Sequence, residues 1–479
     1  MWIAYLNVAR GLALAAAMAC ASSACAAPLL TSAQLQADFR LAREALEEAH
    51  GGIYRYTAKP SLDRVFDAAA ARLDHPMDAM AFLRILAPAI AAVRCGHTGI
   101  QLAPALRKEL EQALLLPLDV KVIGGRLFIL RDYASAGALA GSEITAINGV
   151  AAASILATLT AAAPGDGFIP TGRAGRVGRT FKEGLYNYLD MHGRFALTLQ
   201  APEGTMRNVE LAGQPLAALR AASASLYPQD QRPKKFIDLS FLDDGRIARL
   251  QVFRFTDADE DDDGRKLLRQ AFEKIAASGA RTLLLDLRDN PGGEDALGKL
   301  LFAHLVDQPF PYYEELTVQR VGLSFASHVD GSAGVPAGAL HARADGLYSL
   351  RAHSNLGIQQ PAAPAFKGRV IALINGGSFS TTAELISQLH DKKRAIFVGE
   401  ESGGAYHGNS SGHEAALVLP NSGLRLGIPL VMYKLALGGS HTVGRGVTPE
   451  HPVQPAIGDF LAGRDPQWNR ALSLARDEK

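Results

Sequence analysis

Four short apolar runs in the second half of the chain set its architecture: GRIARLQVFRF (245–255), ARTLLLDLR (280–288), GRVIALINGG (368–377) and RAIFVGEE (394–401). Between the last three lie helix-like stretches, ALGKLLFAHL and AELISQLH. Continuous apolar strands alternating with helices predict a parallel or mixed sheet covered on both faces. In such sheets ligands bind beyond the carboxyl ends of the strands. That rule selects two loops, DLRDNPGGED (286–295) and NGGSFSTTAE (375–384). The intervening segment 308–367 is rich in Gly, Pro, His and Ser, and so long an insertion reads as a lid or binding loop.

At 479 residues the chain is too long for one ordinary domain. It is 48% hydrophobic and 20% charged, with a net charge of +1, which suits a globular core and gives no electrostatic footprint for nucleic acid or an anionic membrane. The N-terminus reads as an export signal, 1–26: Arg10, then the apolar small-residue stretch GLALAAAMACASSACAA, with a small-x-small cleavage site at Ala24-Cys25-Ala26. The expected location is the periplasm or outside the cell. A lipid-modified Cys20 or Cys25 is disfavoured, because neither has a bulky aliphatic residue three positions upstream. Cleavage leaves only Cys95, so no intramolecular disulfide can form. No stretch is long and apolar enough to predict a stable membrane span.

Residues 27–112 read as a helical region. SAQLQADFRLAREALEEAH opens on Ser32 as N-cap and places Leu35, Phe39, Leu41 and Leu46 near one stripe; PMDAMAFLRILAPAIAAVR is a second helical stretch. Residues 113–235 read as a β-rich module and linker. LDVKVIGGRLFIL is a hairpin on Gly-Gly, GSEITAINGVAAASILATL is a strand, an Asn-Gly turn and a helix, and RFALTLQAPEGTMRNVELA is another hairpin. Residues 236–479 form the α/β core.

In the loop at 375–384, Gly376 and Gly377 permit a sharp turn before a helix. Ser380 then sits at the helix mouth, where the Thr381 N–H and the helix dipole favour developing negative charge. An acyl-transfer nucleophile needs this setting. The same residues also fit a simple capping box, Thr381 with Glu384, and the two roles are compatible. Adjacent Gly292 and Gly293 can bring a backbone N–H close to a substrate, or form an ordinary turn. His97, in RCGHTGI, lies where a helix breaks, and imidazole is the side chain that titrates in the range a serine base needs. Taken alone, such a histidine more often has a purely structural role. Cys95 reads as a small buried residue. His390, Asp391, His407, His413 and Glu414 lack metal-ligand spacing, and no P-loop or dinucleotide fingerprint occurs, so neither metal nor cofactor is expected.

Together, DLRDNPGG, NGGSFSTTAE and FVGEESGG, in that order, resemble the serine peptidase family that includes the C-terminal-processing peptidases, the tricorn core protease and the interphotoreceptor retinoid-binding protein. The resemblance implies a ClpP/crotonase-like catalytic core with an N-terminal helical region and a degenerate PDZ-like module. It implies Ser380 as nucleophile, Thr381 with Gly292 or Gly293 as oxyanion donors, and an acid at Asp391. The position matching the processing peptidases' lysine base is Ala405, so a Ser-Lys dyad is not expected. CGHTG resembles the tricorn-like branch and implies His97 as base. That branch's distal glutamate falls near Val443, with Glu450 close by, and the third member stays unassigned. The expected function is an exported serine endopeptidase acting on a peptide or protein substrate, with no assembly state assigned. A ligand-binding protein on the same fold, and hydrolysis of other acyl substrates, are the alternatives.

Overall fold

The computed structural model describes residues 28–228, 235–256, 263–331 and 334–477. The segment 1–26, expected from the sequence to be an export signal, lies outside the described residues. Among those described, no helix is long and apolar enough to cross a membrane.

The apolar runs form one six-stranded sheet in the order Ile237–Leu242, Ile247–Val252, Thr282–Asp286, Arg369–Ile374, Ala395–Gly399, His451–Pro452. The first pair is antiparallel and the rest are parallel. Alternate residues serve opposite faces. Leu284, Ile371 and Val398 pack with Ala471 and Leu474 of the C-terminal helix Pro466–Arg476. Leu283, Leu285, Val370 and Ala372 face the main core with Leu268, Leu301 and Leu385, from three further helices. Burial on both faces explains why these strands read as unbroken apolar runs rather than alternating ones.

A second, seven-stranded sheet is centred on the long strand Arg425–Leu435. On it pair Ser410–Val418, Tyr313–Val318 and the short strand Gly99–Gln101. Within 308–367, Tyr313–Val318, Val329–Asp330, Leu340–Ala342 and Tyr348–Leu350 are strands of this sheet, and Leu316 and Val318 carry apolar side chains into the main core. The N-terminal helices share that core as well: Leu35, Phe39, Leu46, Phe82 and Leu86 cluster with residues of the six-stranded sheet. The first helix, Ser32–Ala49, starts one residue earlier than the sequence suggests. Thr31 is its N-cap, in a capping box with Gln34, which displaces Ser32 from that role.

Between these parts, residues 116–211 hold a separate core that includes Leu118, Ile129, Ile144, Phe195 and Leu197. Its hairpins fall where the turn chemistry places them. Gly124 and Gly125, at φ 58° and 77°, join Leu118–Ile123 to Arg126–Asp132, and Arg194–Gln200 pairs with Met206–Ala212. Helix Pro170–Arg179 lies against strand Leu118–Ile123: a Cβ on Gly178 would be 3.5 Å from the Val120 carbonyl oxygen.

Candidate active site

Strands Thr282–Asp286 and Arg369–Ile374 are parallel neighbours, so the loops at their carboxyl ends meet. Asp289 N donates to Asn375 Oδ1 at 2.9 Å, and Phe379 N donates to the Asn290 carbonyl at 3.0 Å. The second loop delivers Ser380 to the first turn of helix Thr381–Asp391 with φ 56° and ψ −130°. A non-glycine residue adopts such a conformation at a cost of roughly 1–3 kcal/mol and only where its surroundings hold it there, a pattern concentrated at functional sites.

The hydroxyls of this loop have distinct partners. Ser378 Oγ donates to the Leu287 carbonyl at 2.9 Å and pins the turn. Thr381 Oγ1 donates to the Gly293 carbonyl at 2.7 Å, tying the two loops together. Ser380 Oγ lies 3.1 Å from His97 Nε2.

The expected Thr381–Glu384 capping box does not form. Ser380 takes the N-cap position without a side-chain cap bond, and Thr381 is already helical. Glu384 instead points into the core, where Asn409 Nδ2 donates to Oε1 at 2.8 Å and Tyr313 Oη lies 2.7 Å from Oε2. Tyr313 Oη is also 3.0 Å from Asp295 Oδ2. One hydroxyl has one proton for two carboxyl groups, and burial pushes Glu384 up to about 7. A protonated Glu384 donating to Tyr313, which donates to Asp295, satisfies every contact.

This burial has a consequence for stability. The folded state holds the Glu384 proton more tightly than the unfolded chain, whose value is 4.5. Stability is therefore full below that value and falls as pH rises towards about 7. Glu384→Gln, an amide that mimics the protonated acid, should flatten this dependence. Melting curves at pH 5 and pH 8 check it: the wild type should lose more stability than the variant, by an amount of the order of 3 kcal/mol. Equal losses would show that Glu384 is already ionised.

His97 is placed by backbone pairing. Directly after it, Gly99–Gln101 joins the second sheet in register with Gly427–Arg425. Thr98 Oγ1 lies 2.8 Å from Nε2 of fully buried His50, whose imidazole burial pushes down to about 4. The His97 ring packs on Phe379, with centroids 4.7 Å apart. A Cβ at Gly96 would come within 2.5 Å of that phenyl ring, so only glycine fits there. Burial lowers the His97 pKa, and Asp166 opposes the shift. The imidazole is thus neutral near pH 7 and able to accept a proton. A cavity of about 460 Å³ reaches His97, with Thr98, Arg176, Glu183 and Asn187 among its lining residues.

Thr381 N and Gly292 are adjacent: a Cβ on Gly292 would lie 3.0 Å from that nitrogen. The Gly292 N–H donates to Asn290 Oδ1 at 3.0 Å. Among the described residues, no acceptor takes the N–H of Thr381 or Gly293.

The other sequence candidates lie elsewhere or do other work. Burial pushes the Cys95 thiol up to about 12, which leaves no reactive thiolate. Ala405 is buried and provides no base. Asp391 accepts the N–H groups of Gly438 and Gly439 at 2.9 and 2.8 Å, at the far end of the helix from Ser380. Glu450 accepts the Phe397 N–H at 2.8 Å, and Val443 is exposed. One residue absent from the sequence reading enters the site: buried Asp166. Atoms of Cys95, His97 and Asp166 lie within 4.8 Å of one another. The Arg176 guanidinium, close enough to shift His97 and to be shifted by Asp166 and Cys95, counts against a dication there.

A serine on a strained helix entrance, a neutral imidazole at hydrogen-bond distance and free N–H donors define a serine hydrolase arrangement. Residues 246–453 match the family model described as Peptidase family S41, so this segment is an S41 peptidase domain and the chain is a serine-type peptidase. No curated protein sequence matches the chain. Among solved structures, mature CPAF is similar in fold: 15% identity, 93% of this chain and 97% of that one covered, TM-score 0.62. A serine-to-alanine mutant of CPAF gives 14%, 94%, 98% and 0.67. Mature CPAF complexed with lactacystin gives 14%, 93%, 98% and 0.60.

Proposed function

We propose that this chain is an exported serine endopeptidase working through a Ser380 acyl-enzyme, with His97 as general base. The observation that carries this reading is the 3.1 Å contact between His97 Nε2 and Ser380 Oγ at a helix N-terminus. His97 takes the Ser380 proton as Oγ bonds to the peptide carbonyl carbon. The carbonyl oxygen becomes an oxyanion facing the N–H groups of Thr381 and Gly293. Collapse breaks the C–N bond, and His97 returns the proton to the leaving amine. Water then attacks the ester carbon, His97 takes the water's proton, and Ser380 leaves with it. Because the 460 Å³ cavity reaches His97 and the departing amine takes its proton there, the leaving half of the peptide is assigned to that cavity. Peptide addition to the PDZ-like module, if it contributes, would use the Met206–Ala212 edge, since the Leu118–Ile123 edge lies against a helix. Export rests on residues 1–26. A pure binding protein on this fold would need neither the strained serine nor its imidazole.

Fluorophosphonate labelling of the mature protein, with the adduct mapped by mass spectrometry, tests the assignment. The expected result is one adduct on Ser380, lost in Ser380→Ala and slowed in His97→Ala. Lactacystin, which complexes with CPAF, should compete for it. Undiminished labelling of Ser380→Ala would refute the nucleophile assignment.

A further inference from the structure

We propose that Asp166 is the positioning acid of the His97–Ser380 pair, holding the base through the preceding residue, Gly96, and through its charge. The proposal rests on the reading of His97 as base. His97 Nδ1 is buried and has no hydrogen-bond partner among the described residues, so no acid grips the ring directly. The restraint is applied one residue earlier. Asp166 Oδ1 accepts the Gly96 N–H at 2.7 Å, while Arg176 Nη2 donates to the Gly96 carbonyl at 3.3 Å. Gly96, the residue leading into His97, is thus held at its N–H by the buried Asp166 and at its carbonyl by the half-buried Arg176.

Asp166 is itself fixed at the meeting point of three segments. The next residue, Gly167, donates its N–H to the Arg94 carbonyl at 2.9 Å. Phe168 N donates to the Gly444 carbonyl at 2.7 Å, and the Arg94 guanidinium lies 4.5 Å from the centre of the Phe168 ring. Asp166 Oδ2 lies 3.4 Å from the N–H of Ala405, the position where the processing peptidases carry lysine. One of its oxygens is within 4.8 Å of an imidazole nitrogen. A carboxylate at that range stabilises the imidazolium formed when Ser380 gives up its proton. The titratable residues that face this acid, besides His97, are Arg176, which opposes it at His97, Arg173 beside it, and the Cys95 thiol and Tyr56 hydroxyl, both of which it pushes up. The loop between helices Ala152–Ala162 and Pro170–Arg179 therefore contributes a residue to the chemistry.

The test compares Asp166→Asn, which keeps an acceptor for the Gly96 N–H but loses the charge, with Asp166→Glu, which keeps the charge. His97 titration by NMR in the Ser380→Ala protein reads the coupling without turnover. Asp166→Asn should lower the His97 pKa by about one unit or more. In Ser380-containing protein it should move the acid limb of kcat/KM to lower pH by the same amount and reduce plateau kcat roughly tenfold. Asp166→Glu should leave the limb near its wild-type position. An unmoved His97 titration and acid limb in Asp166→Asn would overturn the proposal, whatever happens to its melting temperature. Failure of the peptidase reading would show separately, as probe labelling that does not depend on Ser380.

Discussion

Ser380→Ala and His97→Ala should each lower kcat for peptide hydrolysis by roughly 10³-fold or more, and the double variant should be little worse than either. The non-additivity follows from the pairing. A serine without a base is a weak nucleophile, and a base without a serine has no proton to take. Stability should separate the two. Ser380→Ala removes a hydroxyl whose partner is the imidazole and leaves the strained backbone as it was, so its melting temperature should stay close to wild type. His97→Ala removes a ring packed on Phe379 and opens space behind it, so it should melt lower. Steady-state kinetics with a fluorogenic peptide and paired melting curves check both. A Ser380→Ala protein that keeps wild-type turnover would place the nucleophile elsewhere, and an additive double variant would mean that the residues act independently.

The parallel sheet was legible because both its faces are covered, which leaves unbroken apolar runs such as Leu283–Leu285 and Val370–Ile374 that no amphipathic element produces. The hairpins of 113–235 were legible from Gly124-Gly125 and Asn148-Gly149, where local turn chemistry decides the backbone. The second sheet was not. Its strands come from residues near 100, 315, 350, 415 and 430, and a three-residue strand such as Gly99–Gln101 has no periodicity to detect. Yet that strand lies directly beyond His97, so the feature joining His97 to Ser380 has the weakest sequence signal.

The site shows the same division. Ser380, Thr381 and the glycine pair lie in loops whose position follows from the strand pattern. The capping box failed because T-x-x-E is a local signal, whereas Glu384 is claimed by Tyr313 and Asn409, which are 71 and 25 positions away. Asp166 was missed because PGDGF reads as a turn. Nothing in the sequence marks it: Gly167 at φ 49° sits against the Gly444 backbone, a contact that exists only once the fold brings these distant segments together.

Gly292→Ala should disable the enzyme while leaving most of the fold intact. Gly292 has φ 98°, and an added Cβ would lie 2.6 Å from Ser380 Cβ, 2.8 Å from the Phe379 carbonyl oxygen and 3.0 Å from Thr381 N. Two of those three atoms are backbone, and the serine is held by its own strained dihedrals, so none can yield alone. The loops must separate, which moves Ser380 away from His97 and the Thr381 N–H away from the oxyanion. A misplacement of about 1 Å can cost 10²-fold, and a lost oxyanion donor costs roughly 10²–10³-fold. A fall in kcat/KM of at least 10² is therefore expected, with a stability loss of about 1–3 kcal/mol. Gly279→Ala separates contact from backbone strain. Gly279 has φ 71° with nothing within 4 Å of an added Cβ, and it caps the helix Gly264–Ser278. It should lose stability and keep turnover. If Gly292→Ala instead retains wild-type kcat/KM, the two loops do not jointly form the oxyanion site, and the second donor must come from outside the Asn290–Gly293 turn.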